Sequence, residues 1–287
     1  VDRRHGDALL VGRGGDRASQ LFTKGESANV KKPTAPSNEI QIVASTTGLI
    51  DFCVLGKTPL IFNSMSAKAQ RELLLPRGRK TAADKAASLK HDPIAEFRAS
   101  VYADPSDQAT TYLRMKSTAF KSCIGGAALD TPGAKKAQIE RLTWVEGEWV
   151  SIFGVPKMFM SVVRNAGMDK TPDIRTRAIV PEWAARVTVS FVKPMLREAA
   201  VAQLLATGGI IQGIGDWRNE KGSGTYGQFT LVSPNESEFK KRIERGRVPQ
   251  VAAMGDPEMY DNDTAELFNW YEREVVARGY PRQLRGQ

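Results

Sequence analysis

The chain has 287 residues, of which 41 are basic and 32 acidic, and a net charge of +9 at neutral pH. At 41% apolar content it can build a sizeable core, and no apolar run reaches the ~18–20 residues that a membrane-spanning helix needs. Two cysteines, Cys53 and Cys123, exclude a disulfide scaffold and a cysteine-rich zinc module, and two histidines, His5 and His91, leave little for metal or triad chemistry.

Length allows one large domain or two small ones. The opening VDRRHGDALLVGRGGDR lacks the apolar stretch of a secretory signal, so the expected location is cytoplasmic. Residues 1–37 are rich in Gly, Arg, Lys, Ser and Pro without periodicity and read as a mobile basic arm. Residues 38–234 are expected to form the core, with an inserted basic loop at 76–92, and residues 235–287 a C-terminal helical segment.

Within the core, Ile40–Thr46 and Leu49–Leu55 read as strands with Thr47-Gly48 as their turn, followed by a strand at Pro59–Phe62. Ser64 or Ser66 suits the cap of a helix over Ala67–Leu75, which Pro76 ends. Pro93–Ser100 reads as a short helix, and Val101-Tyr102 and Thr111–Met115 as strands around a polar turn. Helices are expected at Ser117–Leu129 and Lys135–Leu142, then a hairpin of Leu142–Val145 with Trp149–Phe153 around Glu146-Gly147. Met158–Arg164 reads as a strand and the polar Lys170–Pro181 as an irregular connection. Arg186–Val192 alternates Val187, Val189 and Phe191 on one face, a strand that Pro194 ends. Leu196–Ala206 has helical spacing, with Gly208-Gly209 as its stop; Ile210–Arg218 and Tyr226–Val232 are strand-like. Residues 235–247 form a charged helix or tail. Thr264–Arg278 is an amphipathic helix, with Leu267, Trp270, Tyr271 and Val275 towards the core.

Positive charge is clustered. Residues 1–36 carry net +3, and 77–90, 164–197 and 240–247 carry +4 each, while 258–274 carry −5. Such clusters suit a solvated surface or a phosphate-binding face, since Lys and Arg release condensed counterions from nucleic acid. Four windows together favour the phosphate-binding face, with Arg77, Arg79 and Lys80 its contribution from the inserted loop.

The sharpest motif is Gly213-Ile-Gly215-Asp-Trp217-Arg218-Asn-Glu-Lys221-Gly222-Ser-Gly224-Thr-Tyr226-Gly227. Glycines let backbone amides approach a bound group closely, Arg218 and Lys221 offer charge to phosphate, and Trp217 and Tyr226 offer flat faces for bases. It is neither a phosphate-binding loop ending in Gly-Lys-Ser/Thr nor a dinucleotide fingerprint, because Arg218 stands where the third glycine belongs. The structural alternative is a wide hairpin with glycines at bulges and Trp217 packed inward.

A β-α-β unit ending in Gly-Ile-Gly-x-x-Arg…Gly-x-Gly, over roughly residues 184–232, resembles the RAMP superfamily. Those are RRM-like (ferredoxin-fold) RNA-binding proteins that form the backbone and caps of CRISPR effector complexes. Ser117–Leu129 is similar, more loosely, to the helix after their first strand. The resemblance implies an α+β fold, an RRM/ferredoxin-like antiparallel sheet with helices on one face. It also implies a glycine-rich loop that contacts RNA backbone, and subunits that line up along a strand. The texture also looks like uncharacterised phage-encoded proteins that handle single-stranded DNA.

The expectation is therefore a non-enzymatic protein without cofactor or metal that binds single-stranded nucleic acid, RNA slightly ahead of DNA. It is expected to act as a homo-oligomer or a subunit of a nucleoprotein complex, with no membrane partner. The binding residues are Gly213, Gly215, Trp217, Arg218, Lys221, Gly222, Gly224, Tyr226, Arg77, Arg79 and Lys80. The alternatives are a phage-type single-stranded DNA binding or annealing protein, a metal-independent endoribonuclease using His91, and a virion or assembly component. Asp256, Glu258, Asp261 and Asp263 lack metal-loop spacing. Trp144 and Trp149, either side of the expected turn, suit surface stacking or core packing equally.

Overall fold

A computed structural model of the chain describes residues 44–65, 70, 74, 90–164, 172–221 and 224–280. Among these, the strands are β1 (Thr46–Gly56), β2 (Leu60–Ile61), β3 (Tyr102–Ala103), β4 (Leu113–Lys116), β5 (Thr143–Val145), β6 (Trp149–Phe153), β7 (Lys157–Arg164), β8 (Pro172–Val180), β9 (Ala184–Lys193) and β10 (Phe229–Val232). The helices are α1 (Pro93–Ala99), α2 (Ser117–Ala127), α3 (Lys136–Leu142), α4 (Glu198–Ile211), α5 (Ser237–Ile243), α6 (Arg247–Gly255) and α7 (Asn262–Ala277). The arm 1–37 and residues 76–89 of the inserted loop lie outside the described residues.

The larger sheet runs β10-β1-β9-β6-β4-β3, with β5 also on β9, and its pairings are antiparallel. Strands β1 and β6 flank β9, joined through α2. Strands β9 and β10 flank β1, joined through α4. These are two interlocked split β-α-β units, the ferredoxin-like arrangement. The expected α+β class, an antiparallel sheet with its crossover helices on one face, is what the structure has. Alternation explains the packing. Val187, Val189 and Phe191 of β9 are buried with Phe52 and Val54 of β1 beneath Phe120, Ile124, Val201 and Leu205 of the two helices. A smaller sheet, β2-β8-β7, carries α1 and α7 on its inner side and shares the same core through Met158, Met160, Ala178 and Val180.

Several local expectations are corrected. Thr47-Gly48 is no turn but lies inside β1, where a Cβ on Gly48 would sit 2.4 Å from the Phe191 ring. Of the expected strand Ile40–Thr46, residues 40–43 lie outside the described residues. The helix over Ala67–Leu75 lies largely outside them too. Strands β5 and β6 do not pair with each other; both line the same edge of β9, interrupted at Glu146–Glu148. Lys170–Pro181 is not irregular, since Pro172–Val180 is a strand along the whole of β7. Helix α4 runs through Gly208-Gly209 to Ile211, so Ile210–Arg218 is not a strand. The two glycines are where α4 presses on its neighbours: a Cβ would lie 2.3 Å from the Cys123 carbonyl oxygen at Gly208 and 2.6 Å from the Phe229 ring at Gly209. On α7 the buried residues are Thr264, Phe268 and Val275, whereas Trp270 is 51% exposed. Helix α6 lies within the helical segment expected at 235–287, as a separate helix after α5.

Candidate nucleic-acid interface

The glycine-rich segment is a compact loop between α4 and β10. It is held mainly by its own backbone and by β2. Ile214 N donates to the Gly227 carbonyl (3.0 Å), Asp216 N to Ile61 (3.0 Å), Tyr226 N to Trp217 (3.2 Å) and Gly227 N to Pro59 (2.8 Å). Gly213, Gly215 and Gly227 have φ of +70°, +85° and +73°. A Cβ on Gly224 would fall 1.6 Å from the Trp217 carbonyl oxygen, and one on Gly227 1.7 Å from that of Ile214. The close approach these glycines allow is thus to the chain itself. Arg218 is paired: its Nε donates to Glu220 Oε2 at 2.7 Å, and a second guanidinium nitrogen reaches the same oxygen. Lys221 ends a 3-10 turn from Asn219. Gly222, Arg77, Arg79 and Lys80 lie outside the described residues.

Trp217 and Tyr226 stand 6.2 Å apart on the outer face of the smaller sheet. There they surround Phe159 together with Tyr260, at 5.6–6.3 Å between ring centroids. This cluster covers Ile61 and Ile179.

The larger sheet has a second face, opposite α2 and α4. Helix α5 covers one end of it, where Arg186 lies over the Phe239 ring. Its centre carries carboxylates. Asp51 accepts from Thr188 Oγ1 at 2.5 Å, and Glu146 accepts from Trp144 Nε1 at 3.0 Å and from the Ser190 hydroxyl. The β3-β4-β6 edge differs. Register puts Lys116 opposite Trp149, and Arg114 between Tyr102 and Ser151. The Arg114 guanidinium lies 4.2 Å above the Trp149 ring, Lys116 Nζ 5.8 Å from it, and Tyr102 5.4 Å away. A guanidinium on an indole is held flat by cation–π attraction. Arg114 is mostly buried and has Asp104 Oδ2 at 3.6 Å as an ion-pair partner, whereas Lys116 beside it is exposed. Burial raises the Tyr102 pKa, partly offset by Arg177 nearby.

The basic windows divide accordingly. All three arginines of 240–247 have partners in the chain: Arg242 the Gly56 and Trp183 carbonyls, Arg245 Glu182, and Arg247 Asp107. The cationic residues at the aromatic edge, Arg114 and Lys116, come from a segment that no charge window covered. Their signal was the alternation Leu113-Arg114-Met115-Lys116, apolar inward and basic outward.

His91 lies between two carboxylates, with Nδ1 2.8 Å from Glu96 and Nε2 3.0 Å from Asp173. Burial raises the Asp173 pKa, but hydrogen bonds from Lys90 and His91 outweigh it and hold the carboxyl below its ordinary value. A depressed carboxylate contributes stability above its unfolded pKa and loses it as pH falls through the folded one. Asp173→Asn is therefore expected to lower the melting temperature at pH 7. The gap from the unaltered protein should close below about pH 4, near the ordinary aspartate value. A gap of constant size across pH would show that the carboxylate charge is not the cause. Burial pushes the Cys123 thiol up to about 12, so it is not a nucleophile at neutral pH. Among the described residues no group of three His, Cys, Asp or Glu could hold a metal ion, and no helix is long and apolar enough to cross a membrane.

No family model matches the chain, and no curated protein matches it. Among solved structures, it is similar to a chain of the cryo-EM structure of the Type III-B Cmr-beta bound to cognate target RNA. The TM-score is 0.34 and the identity 13%, over 65% of this chain and 59% of that one, less than two thirds of that chain's length.

Proposed function

We propose that this protein binds single-stranded nucleic acid, RNA in preference to DNA, mainly through the sugar-phosphate backbone and without cutting it. The observation that carries this reading is the β3-β4-β6 edge, where the exposed Lys116 stands beside the Trp149 ring and Arg114, partly balanced by Asp104, lies on that ring. Cations beside a π face suit a flexible strand, whose phosphates and bases reach both at once. The carboxylates of Asp51 and Glu146 direct the strand to this edge rather than across the sheet centre, where they would repel phosphate. The preference for RNA follows the glycine-rich segment's resemblance to RNA-binding proteins. The absence of cleavage is supported by His91, whose two ring nitrogens both face carboxylates. Assembly of several copies along one strand belongs to the same reading.

The test is a titration of the full chain with fluorescent single-stranded RNA and DNA of one sequence across salt concentrations. The logarithm of the affinity is expected to fall with that of salt with a slope of about −0.7 per phosphate contact, and to become shallower by about that amount in Lys116→Ala. The RNA is expected to stay intact with or without divalent metal. Absence of binding, or binding indifferent to salt, overturns the proposal. Cleavage abolished by His91→Ala replaces it with a ribonuclease.

A further inference from the structure

We propose that the outer face of the smaller sheet is a second contact point for the same strand, a subsite where Arg175 takes a phosphate and the Trp217 indole takes the adjoining base. This rests on the nucleic-acid reading above and extends it to residues that reading does not use.

The argument starts from the register of β7 and β8. Phe159 faces Arg177 and Ser161 faces Arg175, so the two arginines project from the same side of β8, two residues apart. They are close enough that Arg175 weakens the hold of Arg177 on its proton, adding to the larger effect of burial. The two cations differ in what balances them. Arg177 has Asp216 at 2.7 Å and the Phe62 carbonyl oxygen at 3.3 Å. Arg175 is exposed and has no carboxylate within ion-pair distance among the described residues. Only one of the two guanidiniums thus has a carboxylate partner, and a bound anion would relieve the repulsion between them.

Trp217 supplies the other half. It is the non-glycine residue with positive φ, +49°, among the described residues. Bulky side chains pay for that conformation, and it persists where the surroundings enforce it. Here the enforcement is the Tyr226 N–H on the Trp217 carbonyl and the bare Cα of Gly224 against the same oxygen. The result sets the indole edge-on to Phe159, at 84° and 6.0 Å, lining one cleft with Arg175, Arg177, Asp216 and Ser161. That cleft holds only about 10 Å³. Such a volume takes about one water-sized group, which suits a phosphate oxygen and is far too small for a base. A base must therefore lie outside it, on the half-buried indole, while its phosphate reaches in. Arg218, which the sequence put in the phosphate role, has its charge taken by Glu220 on the same loop. Ala178, next to Arg177, donates its N–H to Ser100 Oγ at 2.8 Å, two residues before Tyr102, which brings this subsite towards the Tyr102–Trp149 edge, so one strand can engage both.

The experiment compares Arg175→Ala, Arg175→Glu and Arg218→Ala in the full chain, titrated with the same single-stranded RNA at several salt concentrations. Circular dichroism melts run in parallel. Arg175→Ala is expected to lower affinity about tenfold and make the salt slope shallower by about 0.7, with Arg175→Glu lowering it further. Melting temperatures should be unchanged, since Arg175 is exposed. Arg218→Ala is expected to change affinity less than threefold. Affinity and slope unchanged in both Arg175 variants, with the unaltered protein binding RNA, overturn the subsite and leave the β3-β4-β6 edge standing. An unaltered protein that binds neither RNA nor DNA overturns the functional reading and the subsite together.

Discussion

Replacing Gln250 by leucine is expected to destabilise the protein by about 4 kcal/mol, although the two side chains are similar in volume. Gln250 is fully buried in α6. Its Oε1 accepts from the backbone N–H groups of Tyr112 (2.7 Å) and Leu113 (3.0 Å), and its Nε2 donates to the carbonyls of Ile152 (2.8 Å) and Gly154 (2.9 Å). It fills the place of a missing strand pairing. Strands β4 and β6 pair at 114–116 with 149–151, and Gln250 bonds the backbone groups beyond that stretch. Leucine leaves four buried polar groups without partners, at roughly 1–3 kcal/mol each before relaxation and water entry. For a unit of this size the melting temperature should fall by about 10 °C. Denaturant unfolding measures the loss directly, and a change below 1 kcal/mol would refute the account. Amide exchange should quicken first at 112–116, so the edge that presents Arg114 and Lys116 should loosen before the rest.

Gly227→Ala is expected to cost about 3 kcal/mol or more, and Gly133→Ala only about 1 kcal/mol, although both glycines have φ near +75°. Positive φ by itself costs an alanine roughly 1 kcal/mol. At Gly133 that is the whole penalty, because nothing lies within 4 Å of the added Cβ. At Gly227 the Cβ would meet the Ile214 carbonyl oxygen at 1.7 Å, a backbone atom that cannot swing away. Relief requires parting the two arms of the loop, which gives up the Ile214 N–H bond to Gly227, and pulling Gly227 from Pro59, just before β2, which gives up the Gly227 N–H bond. The pair separates two explanations of the glycines. Equal losses in the two variants would mean that φ alone matters and that the loop's internal packing is soft. RNA binding adds a second reading: Gly227→Ala should weaken it through the displaced Trp217, whereas Gly133→Ala should not.

How much of this was legible in the residues follows the range of the interactions. The strand Arg186–Val192 and the helices beginning near Ser117, Leu196 and Thr264 stand in the alternation and the helical spacing of their own residues. So does the α+β class, because side-chain direction repeats every two residues in a strand and nearly every four in a helix. Where that period was hidden, tertiary partners decided. Pro172–Val180 reads as irregular because its outward positions are polar and basic, yet pairing with β7 makes it a strand. Gly208-Gly209 has the composition of a helix stop and is instead a contact. Cys123 and Phe229 press on it, and they are about 85 and 20 residues away in the chain.

The candidate site divides in the same way. The sequence determined that cations, aromatics and glycines gather between 213 and 227 and that the chain carries a surplus of positive charge. Which cations are left to meet an anion depended on the carboxylates brought beside them. Glu220 neutralises Arg218 from two residues away, Asp216 reaches Arg177 of β8 from the glycine-rich loop, and Arg175 and Lys116 are left without a carboxylate among the described residues. Charge counts as a sum along the chain but acts over a few ångströms, and only the folded backbone sets those distances.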